Sequence, residues 1–133
     1  LDSKHVNIET LLAETIHAAQ DYLGMADKGL SNLEFQEHVL KDLYNIQSLI
    51  QKGIGNNGST ISTSNNESYI EFLRNIFYTN GILDLNKFLM NIGSFFDEFQ
   101  KNYKKSNSYQ ETEINNFNYN WIRFFDILGI QYK

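Results

Sequence analysis

The chain has 133 residues, a formal net charge of -5 and neither cysteine nor proline. This length gives room for one domain, spanning residues 1–133, with an ordinary hydrophobic core that needs no metal or disulfide. The lack of cysteine excludes disulfides and zinc-thiolate sites, and the acidic balance argues against a nucleic-acid interface, which needs clustered basic residues. No apolar run approaches the roughly 20 residues that a membrane-spanning helix needs, so we expect a soluble, cytoplasmic protein.

Helical periodicity dominates the first part of the chain. A first amphipathic helix is predicted over residues 8–23 and ends before Gly24. A capping box formed by Ser31 and Glu34 opens a second helix, which is predicted to end at Gly53. Apolar residues cover more than a single stripe of this second helix, so we expect it to be central, with contacts on two sides.

The middle of the chain changes composition before helical spacing returns. Residues 53–66 are rich in Gly, Ser, Asn and Thr and are predicted to form a mobile loop within the domain. A third helix follows over about residues 67–79, and Gly81 is predicted to close it in the left-handed conformation.

The stretch from Leu85 to Tyr103 has apolar residues at helical spacing, which predicts one long amphipathic helix capped by Asp84. A fifth helix is predicted over about residues 112–128, ended by Gly129. The short polar connection between these two helices predicts an antiparallel pair. Because no useful length of sequence alternates as a strand does, we predict an all-α fold with about five main helices.

The sequence carries no catalytic or phosphate-binding pattern that we recognise. His17 and His38 are predicted on the polar sides of their helices, where a solvated side chain is the simplest interpretation. Glu34, His38 and Asp42 line one helix face at i, i+4 spacing, a pattern compatible with a divalent ion but more often formed by weak surface pairs. We therefore expect neither an enzyme nor a metal site.

Ten Phe, eight Tyr and one Trp are many aromatic residues for a domain of this size. Their simplest role is to fill the core. A ligand tunnel is the alternative, because Gly93 lies beside Leu89 and Phe96 on the fourth helix, where a missing side chain leaves space for a helix or a ligand.

The back of the predicted fifth helix carries Tyr119, Ile122 and Ile127, which fall outside its core-facing stripe. Apolar residues left on an outer face are typical of an interface between copies of a chain. These three residues therefore predict a homodimer.

Three short motifs resemble those of the non-haem globin sensor domains of bacilli: Lys87-Phe88-Leu89, the DEFQKNY stretch at residues 97–103, and Arg123-Phe124-Phe125. The resemblance implies a globin-like helical fold. It also implies that haem is absent, because the segment that matches the haem-binding helix, residues 67–81, contains no histidine. Among these domains the chain is most similar to the sporulation inhibitory proteins, which resemble the sensor domain of a sporulation histidine kinase.

That family implies a fatty acid in a hydrophobic tunnel and a halide such as chloride in a polar chamber, with no catalytic residue. It implies inhibition of sporulation by sequestering the signal from a sensor histidine kinase, or by pairing with the kinase. Arg74 is the first candidate to meet a carboxylate or halide, and Lys87 is the second. The residues expected to line the tunnel are Leu73, Ile76, Phe77, Phe88, Leu89, Ile92, Gly93, Phe96, Trp121 and Phe125.

A different class of function also fits the sequence. The chain would then be a helical protein-interaction module, comparable to an immunity-like or antitoxin-like inhibitor, with a solid core and no ligand. Its acidic surface would block a basic partner.

Overall fold

The structure, a computed structural model, describes residues 8–25, 30–53, 66–99, 101 and 119–133. This part of the chain is mostly helical and contains no strand, which confirms the all-α prediction. The α-helices with described bounds are α1 (Ile8–Tyr22), α2 (Leu30–Gln51), α3 (Glu67–Asn75), α4 (Leu85–Asn91) and α5 (Trp121–Leu128). Most of the predicted loop, residues 54–65, lies outside the described residues.

The ends of α1 and α2 largely follow the prediction. The chain leaves α1 at Gly24, whose positive φ of 70° lets the Met25 N–H donate to the Gln20 carbonyl at 2.9 Å. Helix α2 begins at Leu30, one residue before the position predicted for its N-cap, Ser31. Its last turn leads to Gly53, where the helix was predicted to end.

Helix α3 is shorter than predicted, because the chain turns sharply after Asn75. Phe77 and Leu83 form an isolated antiparallel bridge, and Gly81 lies in the turn between them with a φ of 88°. The Gly81 N–H donates to the Tyr78 carbonyl at 2.8 Å. The left-handed conformation of Gly81 was predicted correctly, but it serves this turn and not the end of a helix.

The predicted long helix from Leu85 is interrupted. Asp84 caps α4 as predicted, accepting from the Lys87 N–H at 3.2 Å. A 3-10 segment, Ile92–Phe95, follows α4, and helical backbone returns at residues 96–99 and 101. At this break the Ser94 hydroxyl donates to the Asn91 carbonyl at 2.7 Å, a contact that competes with regular helix bonding.

Helix α5 begins later than predicted, at Trp121. Asn120 has a φ of 51°, which is left-handed and stops a helix from running through this position. Residues 112–118, where the predicted helix starts, lie outside the described residues. Gly129 ends α5 as predicted, with the Ile130 N–H donating to the Phe125 carbonyl at 2.8 Å.

Helix α2 is central, as predicted, because α1 and α5 both lie against it. Among the described residues, the main backbone approaches of α5 are to α1 and α2, and α4 meets α5 through side-chain contacts of Phe88. The adjoining ends of the predicted antiparallel pair lie outside the described residues, so this pairing stays a prediction. The last residues of the chain run beside Leu83, whose N–H donates to the Gln131 carbonyl at 3.0 Å. Within the described residues, none of the helices has both the length and the apolar character needed to cross a membrane.

Candidate functional site

Most of the residues predicted to line a tunnel meet in the hydrophobic core. Two of them, Phe77 and Phe96, are partly buried and pack against its edge. The sequence therefore identified a set of residues that come together in space. The buried members are Leu73, Ile76, Phe88, Ile92, Trp121 and Phe125.

The rings of this cluster fill space by contacting one another. The centroid of the Phe88 ring lies 5.1 Å from Trp121 and 5.4 Å from Phe125, with the ring planes at steep angles. On its other side Phe88 stacks on Phe72 at 6.3 Å. These distances lie within the range for direct aromatic contact, and Phe88 and Phe125 have no solvent exposure. We call Phe72, Phe88, Trp121 and Phe125 the aromatic cluster.

Two predicted lining residues lie elsewhere. Gly93 is exposed, and a Cβ atom added at this position would meet no atom of the described residues within 4 Å. Leu89 is 43% exposed. Because the 3-10 segment changes the helical register after Asn91, the face that an uninterrupted helix would bury is not continuous. The space beside Gly93 is thus open to solvent in this structure.

The predicted anion-binding residues are both exposed. The Arg74 guanidinium lies 3.5 Å from Glu71 on the same helix, an i, i+3 pair with both side chains largely in solvent. Lys87 is exposed on α4. An exposed helix pair of this kind contributes little to stability.

The three predicted interface residues do not share one face. Tyr119 precedes α5 and packs inward, its ring stacked 5.0 Å from Trp121 and its hydroxyl donating to Asn32 Oδ1 at 2.7 Å. Burial raises the pKa of the Tyr119 hydroxyl. Ile122 and Ile127 are 42% and 45% exposed. Of the three predicted interface residues, only these two lie on the outer side of α5.

Buried glutamines are a feature that the sequence analysis missed. Gln20 of α1 donates to Gln36 Oε1 of α2 at 2.9 Å, and the Gln36 amide donates in turn to the Tyr119 carbonyl. Further along α2, Gln47 donates to the carbonyls of Gly81 and Gln131 at 2.9 and 2.8 Å. Gln36 and Gln47 are eleven residues, or about three helical turns, apart, so a polar residue recurring on one face of α2 was the available sign.

The predicted group of Glu34, His38 and Asp42 divides into two. Asp42 is buried and accepts from the Tyr69 hydroxyl at 2.8 Å, with His38 Nε2 3.4 Å away. Burial, followed by the charge of Asp42, raises the pKa of Tyr69 well above its ordinary value. This half of the group ties α3 to α2.

Glu34 belongs to a second group, in which it meets His17 of α1 and Glu37 of α2. One ligand atom from each of these three residues lies within 4.8 Å of the other two. His17 Nε2 is 2.7 Å from Glu37 Oε2, and Lys41 Nζ is 3.7 Å from Glu37 Oε1. Burial raises the pKa of Glu34, and the charge of Glu37 raises it further, against smaller opposing effects of His17 and Lys41.

An open pocket of about 420 Å³ lies at the turn after α3. It is lined by Tyr78, Thr79, Asn80, Ile82 and Lys133. Its walls are exposed or partly exposed turn residues. Lys133 is the one basic residue among the five residues that line this pocket.

Comparison with known proteins adds no relative: no family model, no curated protein and no solved structure matches this chain. The globin-like arrangement and its ligands therefore stay predictions.

Proposed function

We propose that this chain is a non-catalytic helical domain that acts as an inhibitor by binding a partner protein through its surface. The observation that supports this proposal best is the packing of Phe88, which is enclosed by the rings of Phe72, Trp121 and Phe125. In the described part of the core, the space around Phe88 is occupied by the protein's own side chains, which favours recognition through the surface. The net charge of -5 favours a partner with a basic face, because complementary charge accelerates association and selects between partners.

The first experiment asks whether the core holds a ligand. Trp121 is the only tryptophan and is buried within the aromatic cluster, so its fluorescence reports directly on this part of the core. We expect gently purified protein to contain no stoichiometric lipid by mass spectrometry, and titration with a brominated long-chain fatty acid to leave Trp121 emission unchanged. Stoichiometric lipid, or saturable quenching of Trp121, would overturn the solid-core proposal.

The second candidate is a haem-free, globin-like sensor domain that binds a fatty acid in its core. The observation that favours it is the convergence of six predicted lining residues, among them Leu73 and Ile76, in one buried apolar cluster. An acyl chain would enter by displacing side chains of this cluster. By holding a limiting ligand, or by pairing with the sensor domain of a histidine kinase, the protein would then suppress the signal for sporulation.

Two substitutions of predicted lining residues test this candidate. Ile76→Phe adds volume at a buried position, whereas Leu89→Phe adds it at an exposed one and serves as the matched control. If the cluster holds an acyl chain, Ile76→Phe lowers fatty-acid content after reloading and Leu89→Phe does not. Equal uptake by both variants and wild type would place any lipid outside the cluster and count against the sensor candidate.

The homodimer prediction now rests on Ile122 and Ile127. If the outer face of α5 joins two copies, Ile122→Glu converts the dimer to a monomer in sedimentation experiments, because a charge would be buried at the contact. Lys87→Glu, an exposed charge reversal on α4, is the control. A wild-type monomer at high micromolar concentration would reject this interface.

A further inference from the structure

The second group of polar residues has the composition of a metal site. An imidazole and two carboxylates are the side chains that bind zinc and related divalent ions through nitrogen and oxygen. His17 comes from α1, while Glu34 and Glu37 lie one turn apart on α2. We propose that His17, Glu34 and Glu37 bind a divalent transition-metal ion such as Zn²⁺, which links α1 to α2.

The distances require a movement of side chains but not of the helices. In a tetrahedral site with ligands about 2.1 Å from the ion, two ligand atoms lie about 3.4 Å apart, so the widest pair, within 4.8 Å, has to close by up to about 1.4 Å. His17 is free to make this movement, since 57% of its side chain is exposed. Glu37 is 12% exposed, and its carboxylate lies 2.7 Å from His17 Nε2, a hydrogen bond that bonds to the ion would replace as the pair opens to about 3.4 Å.

The charges around the group also favour a cation. Glu34 and Glu37 lie one turn apart on α2, and their carboxylates repel each other at close range. A divalent ion between the two carboxylates removes the repulsion. The Lys41 ammonium group lies 3.7 Å from Glu37 and repels a bound cation. Removing Lys41 should therefore strengthen metal binding.

Three protein ligands leave at least one position for water, because zinc takes four ligands. The three ligands come from two helices separated in sequence by residues 23–29, so the bound ion would act as a cross-link between helices. An ion that binds only the folded chain stabilises it in proportion to the logarithm of its concentration above Kd.

The test is thermal unfolding of metal-free protein with increasing Zn²⁺, with stoichiometry measured by calorimetry. At free Zn²⁺ about a hundred times its Kd, wild-type Tm should rise by roughly 10 °C with one ion bound per chain. His17→Ala should abolish this rise, Glu34→Gln should weaken binding at least about tenfold, and Lys41→Ala should strengthen it. His38→Gln is the matched control, because His38 is also on α2 but contacts Asp42, and it should retain the full rise.

Each variant keeps the proposal falsifiable. Because His17 is exposed, the His17→Ala variant should fold. If it does not fold, Glu34→Gln still tests the site, because glutamine has nearly the same shape as glutamate. Absence of a Zn²⁺-dependent rise in wild type would overturn the proposal. So would an equal rise in His17→Ala and wild type, which would indicate adsorption to other surface groups, or loss of the rise in His38→Gln alone.

Discussion

The aromatic cluster and the buried glutamines are both inside the protein, yet they hold it together by different physics. Phe88 is surrounded by rings 5.1 to 6.3 Å away, and its contacts depend on shape and apolar area. Gln47 instead makes three hydrogen bonds to backbone groups, two to Gln131 and one to Gly81. Packing tolerates small shifts of a ring, but a glutamine bonded to a particular carbonyl fixes which residue lies opposite α2.

The two regions therefore stabilise the fold in different ways. The aromatic cluster brings side chains of α3, α4 and α5 into contact in the hydrophobic core. The glutamines specify the register of segments that have no regular secondary structure, such as the turn at Gly81 and the strand-like end at Gln131. A substitution in each region should therefore differ in both the size and the kind of its effect.

The largest loss should come from the aromatic cluster. Phe88→Ala removes a fully buried ring and leaves a cavity, so the free energy of unfolding should fall by about 3–5 kcal/mol, measured by urea denaturation. Met90→Ala on the same helix is the control, since Met90 is 83% exposed and should change stability by no more than about 0.5 kcal/mol. A loss below about 1 kcal/mol for Phe88→Ala would mean that the cluster repacks freely.

The next effect tests the glutamine side of the comparison. Gln47→Leu keeps the bulk but removes three hydrogen bonds, so unfolding free energy should fall by about 3 kcal/mol. Amide hydrogen exchange at Gln131 should also accelerate relative to residues within α2. Gln51→Leu is the control, because its bond to the Gln131 side chain is exposed. If Gln47→Leu left the free energy of unfolding unchanged, apolar packing at this position would stabilise the fold as well as the three hydrogen bonds do.

Tyr69 combines both kinds of contact, since its ring packs 5.5 Å from Phe95 and its hydroxyl donates to Asp42. Tyr69→Phe keeps the ring and deletes the donor, so it should cost about 2 kcal/mol at neutral pH. Tyr78→Phe, at an exposed tyrosine, should cost almost nothing. Equal stability of the two variants in urea would show that water replaces the hydroxyl at Asp42.

The same residue gives a pH dependence. The pKa of Tyr69 is raised in the folded state, so below about pH 10 the hydroxyl is protonated in both states and its contribution is complete. As the pH rises further, the unfolded chain loses this proton first and becomes favoured. Wild-type stability should therefore decline above about pH 10, more steeply than that of Tyr69→Phe. Parallel declines of the two proteins would assign the effect to other groups.

The smallest effect is a gain. Gly93→Ala places a methyl group in open space on a helical turn, so stability should rise by up to about 1 kcal/mol through the lower entropy of the unfolded chain. Gly81→Ala is the opposite case, because its φ is 88° and the new Cβ would lie 3.2 Å from side-chain atoms of Ile50 and Gln51. A thermal melt in which Gly93→Ala is destabilised would indicate that position 93 packs against something.

Local chemistry was sufficient to predict several helix ends. Asp84 offers its carboxylate to the first turn of α4, and Gly24, Gly53 and Gly129 all adopt the positive φ that follows a helix. These features depend on residues close in sequence. The start of α5 was missed because Asn120, which resembles an ordinary helical surface residue, is left-handed.

Helical periodicity could not predict features that depend on residues far apart in the sequence. The contact between His17 and Glu37 was not predicted, because these residues are twenty positions apart and meet only when α1 packs on α2. Tyr119 was assigned to a surface because its contacts with Asn32 and Trp121 depend on the turn before α5. Periodicity separates apolar from polar positions, but it cannot show which polar residues will find partners in the interior.

The bonds between Gln47 and Gln131 have a consequence for how the protein folds. These residues are 84 positions apart, so the contact closes a loop spanning most of the domain. During synthesis, α2 is complete long before residue 131 is made. The side-chain amide of Gln47 therefore stays hydrogen-bonded to water until Gln131 is available. The final register therefore cannot form during elongation of the helices and is expected to be a late, rate-limiting step, which long-range contacts make slow.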